Sequence, residues 1–216
     1  MNPRTRKLSV AGPAGAIECM LDEPESAGQA TQGAQTDEAL GTALLCHPHP
    51  LHGGTLDNKV VQTLARAFVQ LGWRALRFNL RGVGASAGHW DDGSGEIDDA
   101  MAVLKAFDAP GHVWAVGGFS FGGYVATHVA ARLALIDRAP RHLVLVGPAV
   151  ASFAPADVSS PSLVVHGQAD EVVPLHTVFD WARSQALPVT VVPGAAHFFH
   201  GQLNLLKSIV THHCRA

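Results

Sequence analysis

The sequence predicts an α/β fold, a mostly parallel sheet of eight strands with helices on both faces and no cap domain. Three observations lead there. Short apolar runs alternate with longer segments of helical period through most of the chain. A glycine-flanked serine, Gly118-Phe119-Ser120-Phe121-Gly122, sits between one such run and one such helical segment. A length of 216 residues, 47% hydrophobic and 15% charged, is enough for one large core, so we read a single domain over 1–216.

The composition also excludes partners. A net charge of −3 offers no basic surface for nucleic acid. Arg4, Arg6 and Lys7 near the start are followed by no apolar h-region, and no run of 18 apolar residues occurs, so neither a signal peptide nor a membrane span is expected. Cys19, Cys46 and Cys214 lack metal spacing, and an odd, sparse set suits a reducing cytoplasm better than a disulfide framework. Cys46, inside an apolar strand, reads as a small buried hydrophobe.

Taken in order, Leu8–Val10 and Ala16–Leu21 flank the turn Gly12-Pro13-Ala14-Gly15 and predict an antiparallel hairpin at a sheet edge. Residues 23–38 are rich in Gly, Ala and Gln without an apolar period, and are expected to be a mobile surface loop. Leu40–Cys46 reads as a strand and Asn58–Gln70 as a helix with Val60, Val61, Leu64 and Phe68 on its apolar face. Trp73–Phe78 is the next strand, followed by the loop Arg81-Gly82-Val83-Gly84 and a helix over Ile97–Phe107, whose acidic start suits the helix dipole. A strand over His112–Gly117 leads to Ser120, and a helix over Tyr124–Leu133 follows it. Leu143–Val146, Ser162–Val165 and Val189–Val192 complete the strands, with helices over Thr177–Gln185 and Gln202–His212. The stretch from Val146 to Ser162 is Pro-interrupted, irregular and too short to hold a cap.

Ser120 is the candidate nucleophile. A sharp strand-to-helix turn holds its serine at strained backbone angles, which requires glycines around it and lifts the hydroxyl above the strand's C-terminal edge. The Phe121 amide, at the helix N-terminus, then points toward any oxyanion formed there. The plainer reading is a Gly-rich turn with no chemistry, and a base and an acid elsewhere in the chain are needed to displace it.

Four motifs in order supply that context: His47-Pro48-His49-Pro50-Leu51-His52-Gly53-Gly54, Arg81-Gly82-Val83-Gly84, Gly118 to Gly123, and His166-Gly167-Gln168-Ala169-Asp170 with His197. On these the chain resembles the α/β-hydrolase superfamily, in particular its small lidless bacterial serine esterases near the dienelactone-hydrolase-like group. The resemblance implies the chain order Ser, Asp, His. It makes Asp170, in the polar turn after the strand ending at Val165, the residue that orients the histidine, with Glu171 as fallback. It makes His197, in the loop after the last strand, the general base, with Phe198-Phe199 as its anchor in the core and His200 as the alternative. His166 reads as a strand end, with a place lining the site as the alternative. Pro48 and Pro50 have no amide hydrogen, so among the first five residues of that stretch only His47, His49 and Leu51 can donate. The resemblance to the superfamily's His-Gly-x form implies His49 as the second oxyanion donor, with Leu51 as the alternative. Arg81 and its glycine loop are expected to build the floor of the site.

The expected activity is hydrolysis of small carboxylic esters or thioesters through an acyl-enzyme, without a cofactor, in an open and shallow pocket. Lactones and short-peptide amides use the same machinery. A serine in place of the cysteine that dienelactone hydrolases carry argues against strict dienelactone chemistry. Two other readings remain open at this point. His47-x-His49-x-x-His52 has the spacing of a metallo-β-lactamase-type zinc site, although Leu51 stands where that site needs an aspartate and no second ligand set is evident. A non-catalytic binding module on the same fold is the other. The predicted partners are a small-molecule substrate, no nucleic acid and no membrane, with a homodimer allowed.

Overall fold

The computed structural model describes residues 4–25, 39–158 and 162–215, so the expected loop at 23–38 lies outside the described residues from residue 26 on. Eight strands are present: β1 Thr5–Gly12, β2 Gly15–Asp22, β3 Thr42–Cys46, β4 Arg74–Phe78, β5 Trp114–Phe119, β6 His142–Val146, β7 Ser162–Gly167 and β8 Val189–Val192. They form one sheet in the order β1-β2-β4-β3-β5-β6-β7-β8. The β1–β2 and β2–β4 pairs are antiparallel, and every pair from β4 to β8 is parallel. Helices are α1 Lys59–Gln70, α2 Ser94–Ala106, α3 Phe121–Ala134, α4 Leu175–Ser184 and α5 Leu203–His213.

Alternate residues of the buried strands feed two separate cores, as the two-residue period of a strand dictates. Leu44, Val116, Leu143, Leu145 and Val164 pack with residues of α2, α3 and α4 on one face. Ala43, Leu45, Ala115, Val144 and Val165 pack with residues of α1 and α5 on the other. The eight-stranded, mostly parallel sheet with helices on both faces is therefore as expected. Among the described residues no helix is long and apolar enough to cross a membrane.

Local signals explain most boundaries. The Asn58 side chain accepts hydrogen bonds from the Val60 and Val61 amides at 2.9 and 3.4 Å and starts α1. α2 begins at Ser94, three residues earlier than expected, because buried Glu96 reaches back to the Gly93 amide at 2.9 Å and the Asp91 amide at 3.0 Å. β5 runs two residues further than expected, since Gly118 still pairs with Cys46 and Phe119 with Val146. Two glycines do not end a strand whose neighbours on both sides continue it. Residues 147–158 contain no helix, and no cap covers the sheet's C-terminal edge there.

This topology positions the site. From β3 the chain moves to β4 on one side, and from β5 it moves to β6 on the other. The C-terminal ends of β3 and β5 thus form the crevice where open α/β sheets bind ligands.

Candidate active site

Ser120 occupies the turn between β5 and α3 with φ 55° and ψ −117°, a left-handed conformation that a non-glycine residue adopts only when its surroundings hold it. They do. Its amide donates to the Val146 carbonyl at 2.9 Å, and its carbonyl accepts from Gly123 and Ala149 at 2.9 and 3.2 Å. A Cβ on Gly118 would sit 1.9 Å from the Gly122 carbonyl oxygen, and one on Gly122 would sit 2.2 Å from the Cys46 carbonyl oxygen. Only glycine at both positions lets the turn close this tightly against the end of β3. Ser120 keeps 8% of its surface exposed.

Asp170 and His197 meet in the loops after β7 and β8. The His197 Nδ1 lies 2.7 Å from Asp170 Oδ2, and the carboxylate side chain is fully buried. The Val172 and Val173 amides donate to Oδ1 at 2.9 and 2.8 Å. Burial alone would raise the Asp170 carboxyl, but the hydrogen bonds from His197 and Val173 and the nearby imidazoles outweigh it and hold it below the usual value. The two loops are laced together by the Ala169 amide on Ala195 at 2.9 Å and the Gly194 amide on the Gln168 side chain at 3.1 Å. Phe119, next to Ser120, stacks its ring 4.8 Å from the His197 ring. Gly147, which follows Ser120's hydrogen-bond partner Val146, packs on the same imidazole and on Asp170.

Beneath the carboxylate, His166 of β7 is fully buried. Its Nε2 lies 2.9 Å from the Val173 carbonyl, to which it donates, and 3.5 Å from Asp170 Oδ2. Burial lowers its pKa, so it stays neutral there. It lies at the end of β7 as expected, and the alternative expectation, that it lines the site, is met in its approach to Asp170. Only the distance across the turn reveals that contact.

The loop after β3 covers the start of α3. His47 is fully buried, with Nδ1–H directed at the Pro48 carbonyl at 2.6 Å and Nε2 accepting the Leu80 amide at 3.0 Å. Burial pushes its pKa down to about 4. Both ring nitrogens are committed, so the zinc reading of His47, His49 and His52 fails on its first ligand. Among the described residues no group of three His, Cys, Asp or Glu side chains gathers as ligands. His49 starts the single 3-10 turn Pro50–His52, and its Nδ1 accepts the Leu51 amide at 3.2 Å. That bond removes Leu51 as an oxyanion donor. The amides of His49 and Phe121 donate no hydrogen bond among the described residues, which leaves both free for a ligand.

Arg81 forks onto buried Asp99, with Nε and one Nη each 2.9 Å from a carboxylate oxygen and its own amide at 3.1 Å. It fixes the β4–α2 loop to α2. Phe199 is fully buried as expected, but Phe198 is 43% exposed and lies beside His197 rather than in the core. Neither His200 nor Glu171 replaces its neighbour: both are exposed, and no hydrogen bond of either joins the Asp170–His197 pair among the described residues. All three cysteines are free and buried, and burial raises the Cys19 and Cys214 thiols to about 12 and Cys46 further still, which makes them inert hydrophobes. Two concavities of about 410 and 390 Å³ lie elsewhere, by Met101 and Arg138 and by Ile209 and His212.

With this geometry in hand, comparison with known proteins is specific. The family described as serine aminopeptidase, S33, matches residues 49–157. An uncharacterised protein of Rickettsia prowazekii is 30% identical over 194 residues, covering 82% of this chain and 79% of that one. An α/β serine hydrolase without a lid from Xanthomonas campestris superposes with a TM-score of 0.86 at 36% identity, over 100% of this chain and 95% of that one. An α/β serine hydrolase homologue from Coxiella burnetii gives 0.83 at 37% identity, over 99% and 98%.

Proposed function

The chain belongs to the α/β serine hydrolases, in the serine aminopeptidase S33 family, and from that premise we propose that it hydrolyses small carboxylic esters or thioesters with Ser120, His197 and Asp170 as a catalytic triad. The observation that carries this reading is a histidine whose Nδ1 is held 2.7 Å from a buried carboxylate and whose ring lies 4.8 Å from Phe119, the residue before a serine in a strained turn.

In this mechanism Asp170 keeps the proton of the neutral imidazole on Nδ1, leaving Nε2 as base. Ser120 Oγ attacks the acyl carbon while its proton passes to Nε2. The carbonyl oxygen takes up the electron pair and is held by the Phe121 and His49 amides. Collapse of the tetrahedral species breaks the bond to the leaving group, which departs with the proton from His197. A water, deprotonated by His197, then releases the acid and restores Ser120. No step needs a cofactor. With no cap over the sheet's C-terminal edge among the described residues, short or open-ended acyl groups are favoured over large enclosed ones. The family's aminopeptidase name adds peptide amides to the substrates worth assaying, and the acyl-enzyme route serves them equally.

Labelling with a fluorophosphonate, mapped by mass spectrometry, tests the proposal. An adduct on Ser120, absent in Ser120→Ala together with turnover of p-nitrophenyl acetate, is the expected result. An unlabelled protein whose ester turnover survives Ser120→Ala overturns it.

A further inference from the structure

Ser120 stands between two aromatic groups that share no ring contact among the described residues. Phe119, before it, lies 4.8 Å from the His197 ring and 5.7 Å from Phe198. Phe121, after it, is fully buried and lies 5.1 Å from Trp90, 4.8 Å from Phe153 and 5.6 Å from Tyr124. The second group also holds the His49 ring, 4.3 Å from Trp90 and 5.3 Å from Phe121, and so draws on the β3–α1 loop, the β4–α2 loop, the β6–β7 loop and α3, four segments far apart in sequence. Rings that served only to pin loops would be buried, yet Trp90, Phe153 and Tyr124 are each only half-buried.

The wall is also held in place. Trp90 Nε1 donates to Asp92 at 2.9 Å, and the Glu96 carboxylate fixes the Asp91 and Gly93 amides on either side of it. The Tyr124 ring covers Gly93 so closely that a Cβ there would come within 2.8 Å of it. Phe153 donates its amide to Ala149 at 3.2 Å, and the residues after it are tied to α3 by His128 on the Ala154 carbonyl at 3.0 Å and the Ala156 amide on Thr127 at 3.1 Å. Such a surface presents ring faces without having to reorganise.

The chemistry decides which part of a substrate meets it. His197 must protonate the departing oxygen, so the leaving group lies over His197 and Phe198. The acyl group extends from the opposite side of the reacting carbon, past the Phe121 amide and onto the half-buried Trp90 and Phe153 rings that pack around Phe121. We infer that the site takes planar aromatic acyl groups, aroyl or arylalkanoyl esters and thioesters, and that Trp90 and Phe153 select them. This rests on the hydrolase reading above and names its substrate class. Offset and edge-to-face contacts favour an aromatic ring over a saturated ring of equal size by about two- to tenfold per contact.

The test compares p-nitrophenyl 3-phenylpropanoate with p-nitrophenyl 3-cyclohexylpropanoate, which share a leaving group and differ only in the acyl ring. Active sites are counted by fluorophosphonate labelling. Wild-type kcat/KM favours the phenyl ester by roughly tenfold, and Trp90→Leu and Phe153→Leu each pull the ratio severalfold toward one. If Trp90→Leu does not fold, Phe153→Leu carries the same comparison. The acetates of 3-phenylpropanol and 3-cyclohexylpropanol, with the rings moved to the leaving group over Phe198, give a ratio that Trp90→Leu and Phe153→Leu leave unchanged. A wild-type acyl ratio near one, an acyl ratio unmoved in the folded variants, or an alcohol ratio that the variants shift instead overturns the inference. A protein labelled at Ser120 that lacks phenyl preference fails here alone; one that neither labels nor turns over any ester fails as a hydrolase.

Discussion

Asp170 and His197 are joined Oδ2 to Nδ1 at 2.7 Å, while the other oxygen of the same carboxylate is fully occupied by two backbone amides. The carboxylate therefore cannot rotate without losing the Val172 and Val173 bonds, and the imidazole it holds has one orientation. Replacing Asp170 by Asn keeps the shape and removes the charge, which allows the wrong tautomer. We predict a fall in kcat of about 10⁴-fold on p-nitrophenyl acetate, as aspartate loss produces in serine triads generally. Steady-state kinetics with titrated active sites checks it, and a loss below tenfold excludes Asp170 from that role.

The oxyanion assignment separates the His49 amide from its side chain. His49 has φ −51°, which proline adopts, so His49→Pro removes the amide hydrogen with the backbone angle retained. His49→Ala removes the imidazole cap on Leu51 but keeps the amide. Both variants lose the ring, and only the proline variant loses the donor. The expected kcat of His49→Pro is about 10²- to 10³-fold below that of His49→Ala. Equal rates for the two would place the donor elsewhere.

The tight turn makes a prediction about stability. A methyl group on Gly122 meets the backbone of Cys46 and His47, neither of which can move aside within the central sheet. Gly122→Ala should cost about 3 kcal/mol, the upper part of the range for overpacking a close-packed site. Urea unfolding of the purified variant measures this, and a change below about 0.5 kcal/mol would mean the turn relaxes freely.

Acid should weaken the fold through His47. The unfolded imidazole protonates near 6.5 and the folded one near 4, because burial outweighs the hydrogen bond that Nδ1–H gives the Pro48 carbonyl. Between those values the unfolded state binds the extra proton, so stability falls as pH drops from about 6.5 to about 4, by up to about 3 kcal/mol, and no further below. His49, His142 and His166 are shifted the same way and add to the slope. Asp170, held low, acts only at more acid pH, where its protonation removes stability that is present above the ordinary carboxylate value. Urea midpoints at pH 7, 6 and 5 should show a steeper decline in wild type than in His47→Gln, which is less stable at pH 7. Parallel lines would remove His47 from this account.

The succession of strands and helices along the chain and the candidate serine were legible because they rest on local patterns: the two-residue and helical periods, and glycines at fixed offsets around Ser120. The boundaries that slipped did so where a neighbour overrode the local signal. Glu96 reached back to start α2 early, and β3 and β6 carried β5 through two glycines. Leu51 stood as the alternative donor to His49 until the His49 ring was seen to hold its amide. The zinc pattern His47-x-His49-x-x-His52 failed for the same reason, since spacing along the chain says nothing about which nitrogens are already bonded.

By itself, the sequence determined the alternation of strands and helices, the glycines that permit a strained Ser120, and the loops on which an acid and a base had to lie. Those are properties of short segments, set by side-chain period and backbone sterics. The tertiary structure decided which groups meet: Asp170 with His197 rather than Glu171 with His200, His47 as a buried clamp, and Trp90 and Phe153 around the Phe121 that follows the serine. Such pairings join residues tens of positions apart, and only the register of a folded sheet brings them within hydrogen-bonding or stacking distance.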